Sequence, residues 1–300
     1  MTGVDVRIYE VGPRDGLQAE ATLVPIEAKL RFIDLLADAG LREIEATSFV
    51  SPRAIPQLAD ADELMARIDR RPGVRYPVLV PNQRGLERAI AAGVDAICLF
   101  TAVTESYARH NINMGVEESL AAFAPVVAAA RERGWWIRAY VSTAFGCPYE
   151  GEVSELAVLA LSQRLLSLGV DELAISDTLG VAAPADVRRV VGALAAAGIG
   201  TEVVALHLHD TRGTALANVM AGLELGIRSF DASTGGTGGS PYAPGSAGNL
   251  ATEDLVYLLD REGMRHAADL GGVLTAARFI ADALGKSLDS KVGRAGAWPV

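Results

Sequence analysis

The chain has 300 residues, half of them hydrophobic and 6% aromatic, and a formal net charge of −10. Its length suits one large α/β domain whose Ala-, Val-, Leu- and Gly-rich composition buries a core without disulfides. The acidic balance and the absence of any basic run exclude nucleic-acid phosphates as a partner, and the apolar stretches are far too short to span a membrane.

Asp5, Arg7 and Glu10 leave no room for the apolar core of a secretory signal, and Cys98 and Cys147 show no metal-ligand spacing. A soluble cytoplasmic protein is therefore expected. Short β-branched runs then alternate with helical patterns. The first four runs are Val6 to Glu10, Glu43 to Thr47, Tyr76 to Val80 and Ala96 to Phe100. The later four are Ile137 to Val141, Glu172 to Ser176, Val203 to His207 and Ser229 to Ser233. Apolar residues recur at three and four from Pro25 to Ala39, Ser119 to Arg133 and Ser154 to Leu168, which predicts helices. Gly40, Gly93, Gly134, Gly169 and Gly226 stop helices ahead of strands. Eight such units around a parallel sheet predict a (β/α)8 TIM barrel. No linker divides the series, so residues 1–300 read as a single catalytic domain, with 252–300 as a C-terminal helical extension.

In such barrels the chemistry lies at the C-terminal ends of the strands. That rule selects Glu10, Arg14 and Asp15 after the first run, Ser48 after the second, Tyr140 and Ser142 at the fifth, and Asp177 and Thr178 at the sixth. The seventh ends in Leu206-His207-Leu208-His209-Asp210. Strand alternation turns His207 and His209 to one face, as a metal-ligand pair would require, or as two core-satisfied histidines would equally allow.

Three long motifs in order, Gly12-Pro13-Arg14-Asp15-Gly16-Leu17-Gln18, His207-Leu208-His209-Asp210-Thr211 and Ser240 to Asn249, resemble the hydroxymethylglutaryl-CoA lyase branch of the DRE-TIM metallolyases. Ile44 to Pro52, Asn111-Ile112-Asn113 and Gly146 to Gly151 extend the resemblance over nearly the whole chain. It implies a divalent metal held by Asp15, His207, His209 and Asn249. Mixed N/O ligation suits Mg2+ or Mn2+ and leaves Zn2+ as an alternative. The implied reaction cleaves a 3-hydroxyacyl-CoA thioester, 3-hydroxy-3-methylglutaryl-CoA or a close relative, to acetyl-CoA and acetoacetate, as in leucine degradation. Arg14 is the candidate for stabilising the enolate of acetyl-CoA. Glu10 and Asp177 are candidates for acid/base work or for orienting Arg14 and the histidines, a structural ion pair with Arg14 being the alternative. His207 also takes a proton-shuttle role. Gln18, Ser48, Asn111, Tyr140 and Thr178 match substrate-lining positions, and barrels of this type often pair as homodimers.

The chain departs from the pattern at Ser240, where relatives usually carry a cysteine, and a hydroxyl is a far weaker acid than a thiol. Ala174 and Arg212 replace a frequent serine and tyrosine. Gly235, Gly236, Gly238 and Gly239 around Thr237 suit a mobile lid over the thioester, or a flexible turn. Two alternatives stay open on these residues: a related aldolase or Claisen-type synthase, and a catalytically weak homologue that binds metal or a CoA ester.

Overall fold

The computed structural model describes residues 5–239 and 248–298. Each of the eight runs carries a strand, and the second carries two. The strands are β1 (Arg7–Glu10), β2 (Glu43–Ile44), β3 (Thr47–Ser48), β4 (Val78–Leu79), β5 (Ala96–Ala102), β6 (Trp136–Ser142), β7 (Glu172–Asp177), β8 (Val204–Leu208) and β9 (Ser229–Ala232). All pair in parallel, in the order β2-β1-β9-β8-β7-β6-β5-β4-β3. The two ends of that order are halves of one segment. Glu45 N donates to Glu10 O at 2.8 Å on the β1 side, while Ala46 N donates to Pro77 O at 2.9 Å on the β4 side. The segment thereby closes the sheet into a TIM-barrel-like fold.

The helices are α1 (Ile26–Asp38), α2 (Ala61–Arg67), α3 (Gln83–Ala91), α4 (Glu105–Ile112), α5 (Val116–Glu132), α6 (Glu155–Leu168), α7 (Pro184–Ala196), α8 (Ala215–Glu224), α9 (Thr252–Arg261), α10 (Leu270–Leu284) and α11 (Lys291–Ala295). Ser154 starts α6 by accepting from Leu156 N at 3.2 Å, and Gly169 ends it at φ +106°, a conformation that a side chain resists. Helix α5 starts three residues ahead of the expected Ser119. Glu118 reaches back to accept from Gly115 N at 2.9 Å, and that cap fixes the earlier start. After the last strand, α10 packs on α1 and α11 on α9. No helix among the described residues is long and apolar enough to cross a membrane.

The apolar core lies mainly between strands and helices, where Phe32, Ile33, Leu206, Leu208 and Phe230 are buried. The barrel interior differs. Its small apolar cluster, Tyr9, Val11, Leu79, Cys98, Tyr140 and Ala174, shares the lumen with Glu45, Arg138, Glu172 and Asp231, all buried. Register explains the company. Tyr9 sits opposite Asp231, Asp231 opposite His207, His207 opposite Ser176, and Cys98 opposite Arg138, which is opposite Glu172. Partners in adjacent parallel strands share a face, so this set is directed inward together.

Candidate active site

The C-terminal ends of the strands open into a cavity of about 440 Å³. Arg14, Asp15, Gln18, Ser48, Asn111, Tyr140, Thr178, His207 and His209 all line it, from elements spread around the barrel. Asp15 arrives on a tight π-type turn, Gly12–Gly16, begun by Pro13. A side chain at Gly16 would put Cβ 2.3 Å from Thr237 Oγ1, so this turn rests directly on the glycine-rich loop after β9.

Ligand-type atoms of Asp15, His207 and His209 lie within 4.8 Å of one another. Their surroundings fit a cation. His207 Nε2 and His209 Nε2 face each other at 3.2 Å, a separation at which two lone pairs repel unless a proton or a cation lies between them. Asn249 completes the set: its Nδ2 donates to Asp15 Oδ2 at 2.8 Å and to Thr237 O at 3.1 Å, while its buried Oδ1 has no hydrogen-bond partner among the described residues. A buried oxygen left without a partner is costly, and coordination would satisfy it. Burial alone would raise the Asp15 carboxyl, but Arg14, His207 and His209 together hold it below the usual range. Three oxygen and nitrogen donor types with no thiolate suit a hard or borderline divalent ion.

Arg14 is 3% exposed, a depth at which a cation survives only when paired. Its Nη1 donates to Asp15 Oδ1 at 2.7 Å and its Nε to Glu45 Oε1 at 2.6 Å. The other Glu45 oxygen accepts from Tyr140 OH, and the Arg14 guanidinium lies 5.0 Å from the centre of the Tyr140 ring. Burial works against the Arg14 charge, yet Glu45 and Asp15 keep it fully cationic. Burial and the Glu45 carboxylate likewise push the Tyr140 hydroxyl well up.

Glu10 and Asp177, placed on the reactive rim by the sequence, do not line the cavity, and Glu10 does not pair with Arg14. Alternation is the reason: Tyr9 and Ser176 point into the barrel, so Glu10 and Asp177 point out of it. Glu10 accepts from Gly12 N, Thr234 N, Thr234 Oγ1 and Thr252 Oγ1 at 2.6–2.9 Å, which ties the β1 turn to the β9 loop. Asp177 accepts from Val181 N at 2.9 Å and Ala182 N at 3.0 Å, and burial raises its carboxyl to about 6. Both brace loops. Thr178 Oγ1 accepts from Thr143 N, which ties the loop after β7 to the one after β6, and Ser48 Oγ accepts from Val50 N within its own loop. Arg212 donates to the carbonyls of Leu179 and Gly180 and does not line the cavity. Ser240 lies outside the described residues, as do Pro241 to Ala247 of the third motif.

Sequence reasoning missed three residues. Glu45 orients Arg14. Asp231 Oδ2 lies 3.0 Å from His207 Nδ1, and Arg138 grips both Asp231 oxygens at 2.5 and 3.1 Å. Burial would raise the Asp231 carboxyl, but Arg138 and His207 hold it low. The available signal was a charge inside an apolar strand run, as in Ile137-Arg138-Ala139 and Phe230-Asp231-Ala232. Register then decides that these charges face the lumen: Arg138 sits opposite Glu172, and Asp231 opposite Tyr9 and His207.

A parallel barrel whose rim brings together an acid, two imidazoles and a buried, held arginine defines a TIM-barrel-like enzyme equipped for metal-assisted chemistry. The family model described as HMGL-like matches residues 5–280, and the chain belongs to that family, which implies a divalent metal. A rat protein named 3-hydroxy-3-methylglutaryl-CoA lyase, cytoplasmic, is 46% identical over 290 residues, covering 97% of this chain and 84% of that protein. The crystal structure of the Bacillus subtilis HMG-CoA lyase superposes with a TM-score of 0.95 at 46% identity over 98% of each chain. An HMG-CoA lyase from Acinetobacter baumannii in complex with coenzyme A and 3-methylmalate gives a TM-score of 0.93 at 38% identity over the full length of both.

Proposed function

We infer that the chain is a carbon–carbon lyase that cleaves 3-hydroxy-3-methylglutaryl-CoA to acetyl-CoA and acetoacetate. The observation that supports this reading best is the meeting of Asp15, His207, His209 and the unpartnered Asn249 Oδ1 beside Arg14, at the mouth of the cavity. These four residues would hold a divalent cation, Mg2+ or Mn2+, with Zn2+ as the alternative. Such a cation would supply Lewis-acid polarisation of substrate oxygen at this site.

The remaining work falls to the chain. A base removes the C3 hydroxyl proton, and His207 serves as its shuttle only through Nε2, and only while that atom is not holding the cation. The electron pair of the C2–C3 bond moves to C2 as C3 becomes the ketone of acetoacetate. The fragment left is the enolate of acetyl-CoA, which gains at C2 one proton in place of the one that the C3 hydroxyl gave up, so the cleavage is proton-neutral overall. Arg14, aimed by Glu45, stabilises the enolate oxygen as its charge develops. Ser240 supplies a hydroxyl where relatives have a thiol, so it hydrogen-bonds rather than acting as a ready acid. Gln18, Ser48, Asn111, Tyr140 and Thr178 bind the acyl-CoA thioester. Glu10 and Asp177 act at one remove, by holding the loops.

Residues 1–300 work as a single domain, with 252–300 as its helical extension. The protein acts in the cytoplasm as a homodimer in leucine degradation, with neither nucleic acid nor membrane as partner. The net charge of −10 supports the exclusion of nucleic acid, and the relative named as cytoplasmic supports the location.

The test is incubation of protein loaded with Mg2+, Mn2+ or Zn2+ with 3-hydroxy-3-methylglutaryl-CoA, following both products. Acetyl-CoA and acetoacetate should form in equal amounts. Absence of turnover with all three metals removes the reading. In the companion variant Ser240→Cys, a faster rate would identify proton delivery as the limiting step.

A further inference from the structure

The mechanism leaves a line of buried charge beneath His207 unused. Asp231 meets His207 Nδ1 from below, Arg138 grips Asp231, and Arg138 Nε lies 3.0 Å from Glu172 Oε1. Glu172 also pairs with Arg7, Arg7 with Glu43 at 3.3 Å, and Glu43 with Arg75 at 2.7 Å. The line runs from the rim down to the opposite end of the barrel. At its upper end Arg138 and Asp231 are 0% and 1% exposed, with the Arg138 guanidinium stacked 3.9 Å from the centre of the Tyr9 ring. Neither residue lines the cavity, so neither touches substrate.

A neutral imidazole carries its proton on one nitrogen only. Both Asp231 oxygens already accept from Arg138, and Oδ2 accepts from whatever proton Nδ1 carries. A carboxylate so placed can only accept. It therefore draws the proton to Nδ1 and leaves the Nε2 lone pair pointing to His209 and the cavity. We propose that Asp231 is a positioning residue that fixes His207 in the Nδ1–H tautomer, with Arg138 holding Asp231 in place. The consequence for metal affinity rests on the reading of His207 as a ligand; the tautomer itself does not.

The test uses metal-free full-length protein with 15N-labelled histidine, at a pH above the imidazole range. Only four histidines are present, and His110→Gln, His266→Gln and His209→Asn variants assign their signals. His207 should show the Nδ1–H pattern in long-range 1H–15N spectra. In Asp231→Asn the amide oxygen should take the shorter Arg138 contact, turning the amide NH2 toward Nδ1. The proton then moves to Nε2, and the signature reverses. Calorimetric titration with Mn2+ should show binding weakened by about 10- to 100-fold, the usual effect of losing such a partner.

An Nε2–H pattern in the unsubstituted protein overturns the proposal without any variant, should Asp231→Asn fail to fold. An unchanged tautomer in the folded variant overturns it as well, whereas a reversed tautomer with unchanged Mn2+ affinity upholds it and removes His207 from the ligand set. If the unsubstituted protein binds neither Mn2+ nor Mg2+, the metal reading fails while the tautomer result stands by itself.

Discussion

Replacing Glu45 separates the role of Arg14 from its mere presence. Glu45 is fully buried, with one oxygen 2.6 Å from Arg14 Nε and the other on Tyr140 OH. Glu45→Ala leaves Arg14 with Asp15 as its one remaining carboxylate partner and orphans the Tyr140 hydroxyl. Breaking a buried ion pair costs about 3–5 kcal/mol and an orphaned hydroxyl about 1–3 kcal/mol. The two losses share a cavity and do not simply add, so about 4–5 kcal/mol is expected, within reach of unfolding a domain stable by about 5–15 kcal/mol. Glu45→Gln keeps the volume and one hydrogen bond, and should lose about half as much. The informative assay pairs urea unfolding with steady-state kinetics on Glu45→Gln. If Glu45 aims Arg14 at the developing enolate, kcat should fall by roughly 10²–10³, the loss typical of a displaced oxyanion donor, with KM little changed. A Glu45→Gln protein with wild-type kcat would refute the reasoning, since Arg14 would then need no aiming.

Glu10→Gln should lower unfolding free energy by about 1–3 kcal/mol through its broken loop bonds while leaving the kcat of the folded fraction close to wild type; a collapse of kcat at unchanged stability would place Glu10 in the chemistry after all. Asp177 holds its proton up to about 6 in the folded state against 3.8 ordinarily. Between those values the folded form binds a proton that the unfolded chain has released, so this group makes stability fall as pH rises through that window, by at most about 3 kcal/mol. Urea midpoints across that pH range should show the slope, and Asp177→Asn should flatten it. Removing divalent metal with a chelator should abolish turnover and lower the melting temperature, whereas readdition at about 100 times Kd should restore about 2.7 kcal/mol; His209→Ala should show no such metal-dependent shift in calorimetry.

The barrel order was legible because parallel strands and amphipathic helices leave alternating periods, and each of the eight runs carries a strand. The break at Glu45-Ala46 was not, because closure of a sheet is a property of both ends at once. Asp15, His207 and His209 were legible from their positions at strand ends, and they do converge. Glu10 and Asp177 lie off the cavity for a related reason. They also sit at strand ends, but which parity faces the lumen depends on register, and register is set by neighbours far away in the chain. Tyr9 opposite Asp231 and Ser176 opposite His207 decide it. The charged residues Glu45, Arg138 and Asp231 were visible in the strand runs, yet their meaning needs the barrel to be closed first.

Stability alone does not account for so much charge inside the lumen. A buried ion pair replaced as a whole by well-packed apolar residues is often neutral or stabilising, whereas loss of one member is costly. By that rule an apolar lumen extended from Leu79, Cys98 and Ala174 need not cost stability. What it would lose is an acceptor beneath His207 and a second carboxylate beside Arg14. The charged interior gives His207 a carboxylate beneath it and Arg14 a second carboxylate beside it, and Asp231 is in turn held by Arg138. The pairing passes from Asp231 to Arg138 to Glu172, and it ends only where Arg7 and Arg75 reach partly solvated surface at the far end of the barrel.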